Sequence, residues 1–201
     1  MKRPFRAGYQ NLDKEMILDN LPTEGTVPSW LSGTLVRNGP ARWDLPKQSV
    51  RHWFDGQAML HKFSFQDGQV DYANKFIQSN TFKSAEKTGK LTYSEFATDP
   101  CRNIFQRLMS TFSPNFTTNT NVNITKIADK FIAMTELPIP LEFDPDTLET
   151  VGEVSYLTEI PMTTTTAHPH YDSVRQIGYN SAIHFGRVSQ YIVYGQPHDS
   201  W

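Results

Sequence analysis

What most restricts the fold of this chain is a succession of short apolar runs, each closed by residues that turn the backbone. Thr34-Leu35-Val36-Arg37 stops at Asn38-Gly39-Pro40, and His52-Trp53-Phe54 stops at Asp55-Gly56. Met59–Phe65 ends at Asp67-Gly68, a hairpin signal, and Val70–Ile77 answers it as the partner strand. Val122–Ile127 and Lys130–Thr135 flank Ala128-Asp129. Leu141-Glu142-Phe143 meets Asp144-Pro145, and Asp146–Val151 closes that unit. Arg175–Asn180 and Ser189–Tyr194 make a last pair around a glycine-containing link. Many short antiparallel strands predict an all-β domain: a sandwich, a barrel or a propeller. The pattern does not choose among these, and it contains no helix–strand alternation of a doubly wound fold.

Residues 1–30 read as an irregular leader, because Asn20–Gly25 and Val27-Pro28 interrupt any regular element. Residues 31–201 carry the strands. One segment departs from their pattern. Asp99 is placed to cap a helix with Pro100 at its first position, and Ile104, Phe105, Leu108, Met109 and Phe112 share one helical face. Such a short amphipathic helix packs its apolar face on the domain or dips it into a lipid surface while Arg102 and Arg107 meet headgroups.

A net charge of −2 gives no sign of a nucleic-acid surface. The single cysteine, Cys101, excludes an intramolecular disulfide framework and cysteine-based zinc clusters. Basic residues near Met1 have no apolar run behind them, and no window reaches the length of a membrane span. A reduced, cytoplasmic compartment is the simplest expectation.

The chemistry concentrates in Thr163-Thr164-Thr165-Thr166-Ala167-His168-Pro169-His170-Tyr171-Asp172. Four β-branched residues in a row favour extended backbone. Pro169 removes a backbone donor and pushes His168 toward extended geometry. The imidazole of His168 is thus held on a stiff segment, as a metal ligand must be, and neutral imidazole suits first-row metals.

Thr-Ala-His-Pro-His, taken with Arg37-Asn38-Gly39-Pro40, His52-Trp53-Phe54-Asp55-Gly56 and Met134-Thr135-Glu136, resembles the carotenoid cleavage oxygenase family. That family includes retinal-forming carotene oxygenases and retinoid isomerohydrolases. The resemblance runs from about Leu31 to the C-terminus, in the family's order. It implies a seven-bladed β-propeller with a ferrous ion, Fe(2+), on its axis, held by four histidines from different blades. It also implies oxidative cleavage of a conjugated C=C bond by dioxygen, acting on a lipophilic polyene drawn from membranes near residues 100–112.

On this resemblance His168 matches an iron ligand. Glu136 matches a glutamate that accepts a hydrogen bond from an iron-bound histidine outside this chain and so fixes its tautomer and orientation. The apolar residues around Glu136 lead us to expect a buried carboxyl group with a partner. His170 is not assigned to the metal. His52 and the Asp55-Gly56 pair read as architecture, His61 as a satisfied histidine of the core, and Arg37 as a charge paired within the core. His184 and His198 stand in no motif. Stilbene-cleaving relatives often place a lysine before the glutamate; Thr135 stands here, which favours a carotenoid or apocarotenoid.

The remaining ligands and strands are missing. About ten runs do not close seven blades. The expectation is therefore a partial propeller, an N-terminal portion of a longer protein, inactive by itself. The competing expectations are a stilbene-cleaving or retinoid-isomerising relative, or a non-catalytic propeller binding scaffold.

Overall fold

The computed structural model describes residues 8–100, 116–155 and 161–197. The proposed helix over residues 99–112 lies almost entirely outside them. The described strands are β1 (Met16–Leu18), β2 (Gly33–Arg42), β3 (Asp44–Leu45), β4 (Gln48–Ser49), β5 (Gln57–Gln66) and β6 (Gln69–Phe76). After helix α1 (Asn80–Thr88) come β7 (Asn123–Ile127), β8 (Lys130–Met134), β9 (Leu141–Phe143) and β10 (Thr150–Glu153). The last group is β11 (Thr164–Thr165), β12 (His170–Asp172), β13 (Ile177–His184) and β14 (Gln190–Pro197).

Three antiparallel sheets follow one another along the chain. The first has the order β1-β6-β5-β2 and the second β10-β9-β8-β7. In the third, β13 pairs β14 along one edge and both β11 and β12 along the other. β11 and β12 are thus two halves of one strand, broken at residues 166–169. β3 and β4 form a separate small hairpin. The second sheet is a meander, the simplest antiparallel arrangement for runs joined by tight turns, whereas in the first β1 is added beside β6, away from its sequence neighbour β2.

The turns follow their residues. Asp67 and Gly68 both take positive φ, 50° and 80°, which the right-handed twist of a two-residue hairpin requires. Ala128 and Asp129 do the same at 48° and 62°, and the register closes Ile127 on Lys130. Asp144 nucleates its turn by accepting the N–H groups of Asp146 and Thr147 at 2.8 Å each. These amides hold its carboxyl group below the usual carboxylate range.

The core lies between sheets. Ala58, Leu60, Ile77, Ala133, Leu141, Phe143 and Leu148 form one cluster joining the first sheet to the second. Ile132, Met134 and Ala167 form another between the second and the third. Consecutive residues of β8 therefore point into different clusters, and Ile132, Ala133 and Met134 are all buried. A strand buried on both faces loses the polar–apolar alternation of a half-exposed one.

Three readings of the sequence are corrected and one helix is added. Asn38-Gly39-Pro40 is not a turn but lies inside the ten-residue β2. β2 is an edge strand, so the missing N–H of Pro40 costs no ladder bond. His52-Trp53-Phe54 is not a strand; Trp53–Asp55 form a short 3-10 turn capped by His52, whose Nδ1 accepts the Phe54 N–H at 3.2 Å. The leader is not wholly irregular, because β1 pairs β6. Helix α1 went unread: its signals are Ser79, whose hydroxyl accepts the Phe82 N–H, and Gly89 at φ 75° after the last turn.

Candidate functional site

The edge strands β2, β7 and β11/β12 are tied to one another by asparagine side chains. Asn38 Nδ2 on β2 donates to the carbonyls of Thr120 at 2.6 Å and Asn123 at 3.2 Å. Asn123 Nδ2, at the start of β7, donates to the carbonyl of Ala167 at 2.8 Å. An asparagine amide placed between strands satisfies carbonyls that no ladder reaches. The three sheets are thereby stitched along one line, and the line ends at the break in the third sheet.

His168 sits in that break. Ala167 is fully buried against Ile132 and Met134, so its small side chain seats the backbone directly on the second sheet. The Thr166 hydroxyl accepts the His168 N–H at 3.1 Å, and Asn180 Nδ2 donates to the Thr166 carbonyl at 2.9 Å. The backbone on the N-terminal side of the imidazole is fixed, and the His168 residue is exposed. His170 is the first residue of β12, also exposed, and paired with Tyr179.

Glu136 follows β8. Its carbonyl accepts the Thr165 N–H at 3.0 Å, so the second and third sheets meet three residues before His168. The Glu136 residue is exposed, contrary to the burial expected from its apolar neighbours. It lines a cleft of about 440 Å³. Phe54, Phe96, Phe116, Val122 and Leu137 give that cleft its apolar walls, and Glu95, Asn119 and Asn121 its polar ones. Thr164 closes it, whereas His168 is not among its lining residues.

Part of the cleft wall is a strap, residues 117–121, without strand pairing, three of whose residues line the cleft. All five residues are buried, and side chains hold them. Asn119 Nδ2 donates to the Gly56 carbonyl while Asn119 Oδ1 accepts the Ala58 N–H, both at 3.0 Å. Asn121 Nδ2 donates to the carbonyls of Phe54 and Gly56, both at 2.7 Å. The Asp55 carboxyl group, wholly buried, accepts the Ala97 N–H at 3.0 Å and the Thr98 hydroxyl at 2.6 Å. The Asp55-Gly56 pair is therefore more than a turn: it is the dock for both sides of the cleft. Gly56 is required there because a Cβ would fall 2.6 Å from Pro40 Cβ and from Trp43 Nε1.

Two further residues differ from their sequence reading or extend it. Arg37 is exposed rather than paired in the core. His61 Nδ1 lies 2.7 Å from the Tyr72 hydroxyl, and burial, with the nearby Arg37 charge, holds the imidazole below its ordinary pKa. The strap asparagines, Asp55 and Glu95 were missed. The signal for the asparagines was the alternation Asn119, Asn121, Asn123 in a polar stretch, since period two sends alternate side chains of an extended chain to one side; Asp55 and Glu95 carried no such signal.

Among the described residues no cluster of three or more His, Cys, Asp or Glu is placed to hold a metal ion. His168 has the donor chemistry for ferrous iron, yet one imidazole does not hold the ion by itself. No helix among the described residues is long and apolar enough to cross a membrane.

The chain is 38% identical over 198 residues to the mouse β,β-carotene 15,15'-dioxygenase, covering 94% of this chain and 35% of that protein. It is 39% identical over 171 residues to the human mitochondrial carotenoid-cleaving dioxygenase, covering 81% of this chain and 29% of the relative. The chain thus spans about a third of the length of such relatives. The crystal structure of cobalt-substituted Synechocystis apocarotenoid oxygenase superposes with a TM-score of 0.79 at 26% identity, over 96% of this chain and 41% of that one. The three sheets are accordingly a part of that propeller fold. Residues 9–200 match the retinal pigment epithelial membrane protein family, and the chain belongs to that family.

Proposed function

We propose that this chain forms part of an oxygenase that uses ferrous iron and dioxygen to cleave a conjugated C=C bond of a carotenoid or apocarotenoid, giving two carbonyl products. The observation that supports this most is the joint at Thr165. Its N–H bonds the Glu136 carbonyl, three residues before an exposed His168, in a chain 38% identical to a carotene dioxygenase. His168 would supply one ligand to iron, and the ion, when bound, would supply the activation of dioxygen. Among the described residues no cluster accompanies His168, so the remaining ligands would come from other parts of the protein.

The chain's own contributions are positional. Ala167 and the Asn123 amide hold the backbone beside His168 in place. Glu136, at the cleft, is positioned to accept a hydrogen bond from an imidazole approaching from another blade. The apolar walls, Phe54, Phe96, Phe116, Val122 and Leu137, suit a polyene and exclude water from it. Thr135 beside Glu136 leaves no cation for a phenolic substrate, which favours carotenoids over stilbenes. We place the reaction in the reducing cytoplasm, in keeping with the lone Cys101, with residues 100–112 touching the membrane that carries the substrate.

The test is expression of the protein at the length of its relatives with ferrous iron, followed by loss of polyene absorbance. We expect His168→Ala to abolish bleaching with little change in folding stability, because the residue is exposed. Full activity in that variant would remove the ligand role. Intact binding of polyene without bleaching in the unmutated, iron-loaded protein would favour a scaffold instead.

A further inference from the structure

Three segments meet at Glu95. Its N–H donates to the Thr98 carbonyl at 3.0 Å, closing the turn whose Ala97 N–H and Thr98 hydroxyl bind Asp55. Its Oε1 accepts the Thr117 hydroxyl at 2.9 Å. Thr117 Oγ1 in turn accepts the Asn119 N–H at 3.1 Å, so the single proton of that hydroxyl is committed to Glu95. From Thr117 the strap runs without interruption through Asn119 and Asn121 to Val122, whose N–H donates to the Met134 carbonyl. Asn123 follows and holds Ala167.

We propose that Glu95 is a positioning residue of the cleft: its carboxyl group pins the Thr117–Asn121 strap to the Asp55 turn and so keeps that part of the cleft wall in register with the break that carries His168. The strap has no strand pairing to do this for it.

The charge state of Glu95 follows from its neighbours. Burial above all pushes its carboxyl group up to about 7, hydrogen bonds such as that from Thr117 pull the other way, and the Asp55 charge adds to the rise. From the turn before β5, Asp55 faces it, Arg51 meets Thr98 through its backbone N–H, and His52 lies against the Phe96 ring. From α1 it meets the neutral Thr81, while Lys83, Glu86 and Lys87 lie on the exposed side of that helix. Glu136 lines the same cleft. Below pH 7 the group is neutral and the clamp is closed without a buried charge. Because the folded value is raised, this contribution is present at acid pH and is lost as the pH rises through about 7.

The inference deepens the reading of the cleft and rests on it only for the purpose of the clamp. Its readouts are proton and amide occupancy, so its failure is separable from a failure of turnover. Carboxyl ¹³C NMR of the 201-residue chain, with Glu95→Gln to assign the signal, should give a midpoint near 7. Amide exchange of residues 117–121, corrected for its intrinsic pH dependence, should quicken several-fold between pH ~6 and ~8 in the unmutated chain and not in Glu95→Gln. A midpoint in the ordinary glutamate range near ~4.3 would overturn the proposal, as would the same quickening in both chains. If Glu95→Gln does not fold, Thr117→Val carries the test. Loss of the hydroxyl that favours the charged form should raise the midpoint, and an unchanged or lower midpoint would overturn the clamp.

Discussion

The Gly56 carbonyl is buried and accepts from two amides, Asn119 Nδ2 at 3.0 Å and Asn121 Nδ2 at 2.7 Å. Removing either asparagine leaves it served by the other; removing both leaves it bare. Asn119→Ala also strands the Ala58 N–H, in a residue 1% exposed and opposite Pro40 in the register. One stranded buried donor costs about 1–3 kcal/mol, and the lost bond to Gly56 about 1 more, so the variant should lose about 2–4 kcal/mol. Asn121→Ala frees the carbonyl of Phe54, a residue half-exposed to water, and should cost only about 1 kcal/mol. The double variant should exceed the sum of the two by about 1–2 kcal/mol, because only then is Gly56 orphaned. Urea unfolding of the four chains at equal slope measures the difference. Additivity within about 0.3 kcal/mol would refute the shared acceptor, and with it the idea that the strap is docked on Gly56.

Two more predictions concern the same frame. Ala167→Leu should destabilise by about 1–3 kcal/mol through overpacking against Ile132 and Met134, as read by thermal unfolding. His61 has a depressed imidazole pKa, so the unfolded chain takes up the proton first. Stability is therefore maintained above about pH 6.5 and lost as the pH falls below it, and His61→Gln should remove that part of the slope in urea midpoints measured across pH.

The strand content and most hairpins were legible because they are set locally. Asp67-Gly68 can be read as a turn wherever it occurs, since positive φ at both positions is a property of those residues and of the twist they join. The opposite case is Asn38-Gly39-Pro40. Its residues are those of a turn, yet β5 pairs along them, and only the position of β2 at a sheet edge makes proline harmless there. His52-Trp53-Phe54 failed the other way: β-prone residues curl because the His52 side chain caps the turn and Asn121 holds the Phe54 carbonyl, a contact 67 residues away.

The site divides along the same line. His168 stood out from sequence because proline and four threonines stiffen the chain around it, and stiffness is a local matter. That its strand is broken, and that the break is seated by Ala167 on a neighbouring sheet, depends on which residues lie across the gap. Glu136 could be picked out but not placed; its apolar neighbours in sequence turn into two different clusters and leave the carboxylate at the cleft. Asp55, Glu95 and the strap asparagines acquire their meaning only together, because a polar group is costly or useful in a fold according to its partners, and those partners come from segments dozens of residues apart.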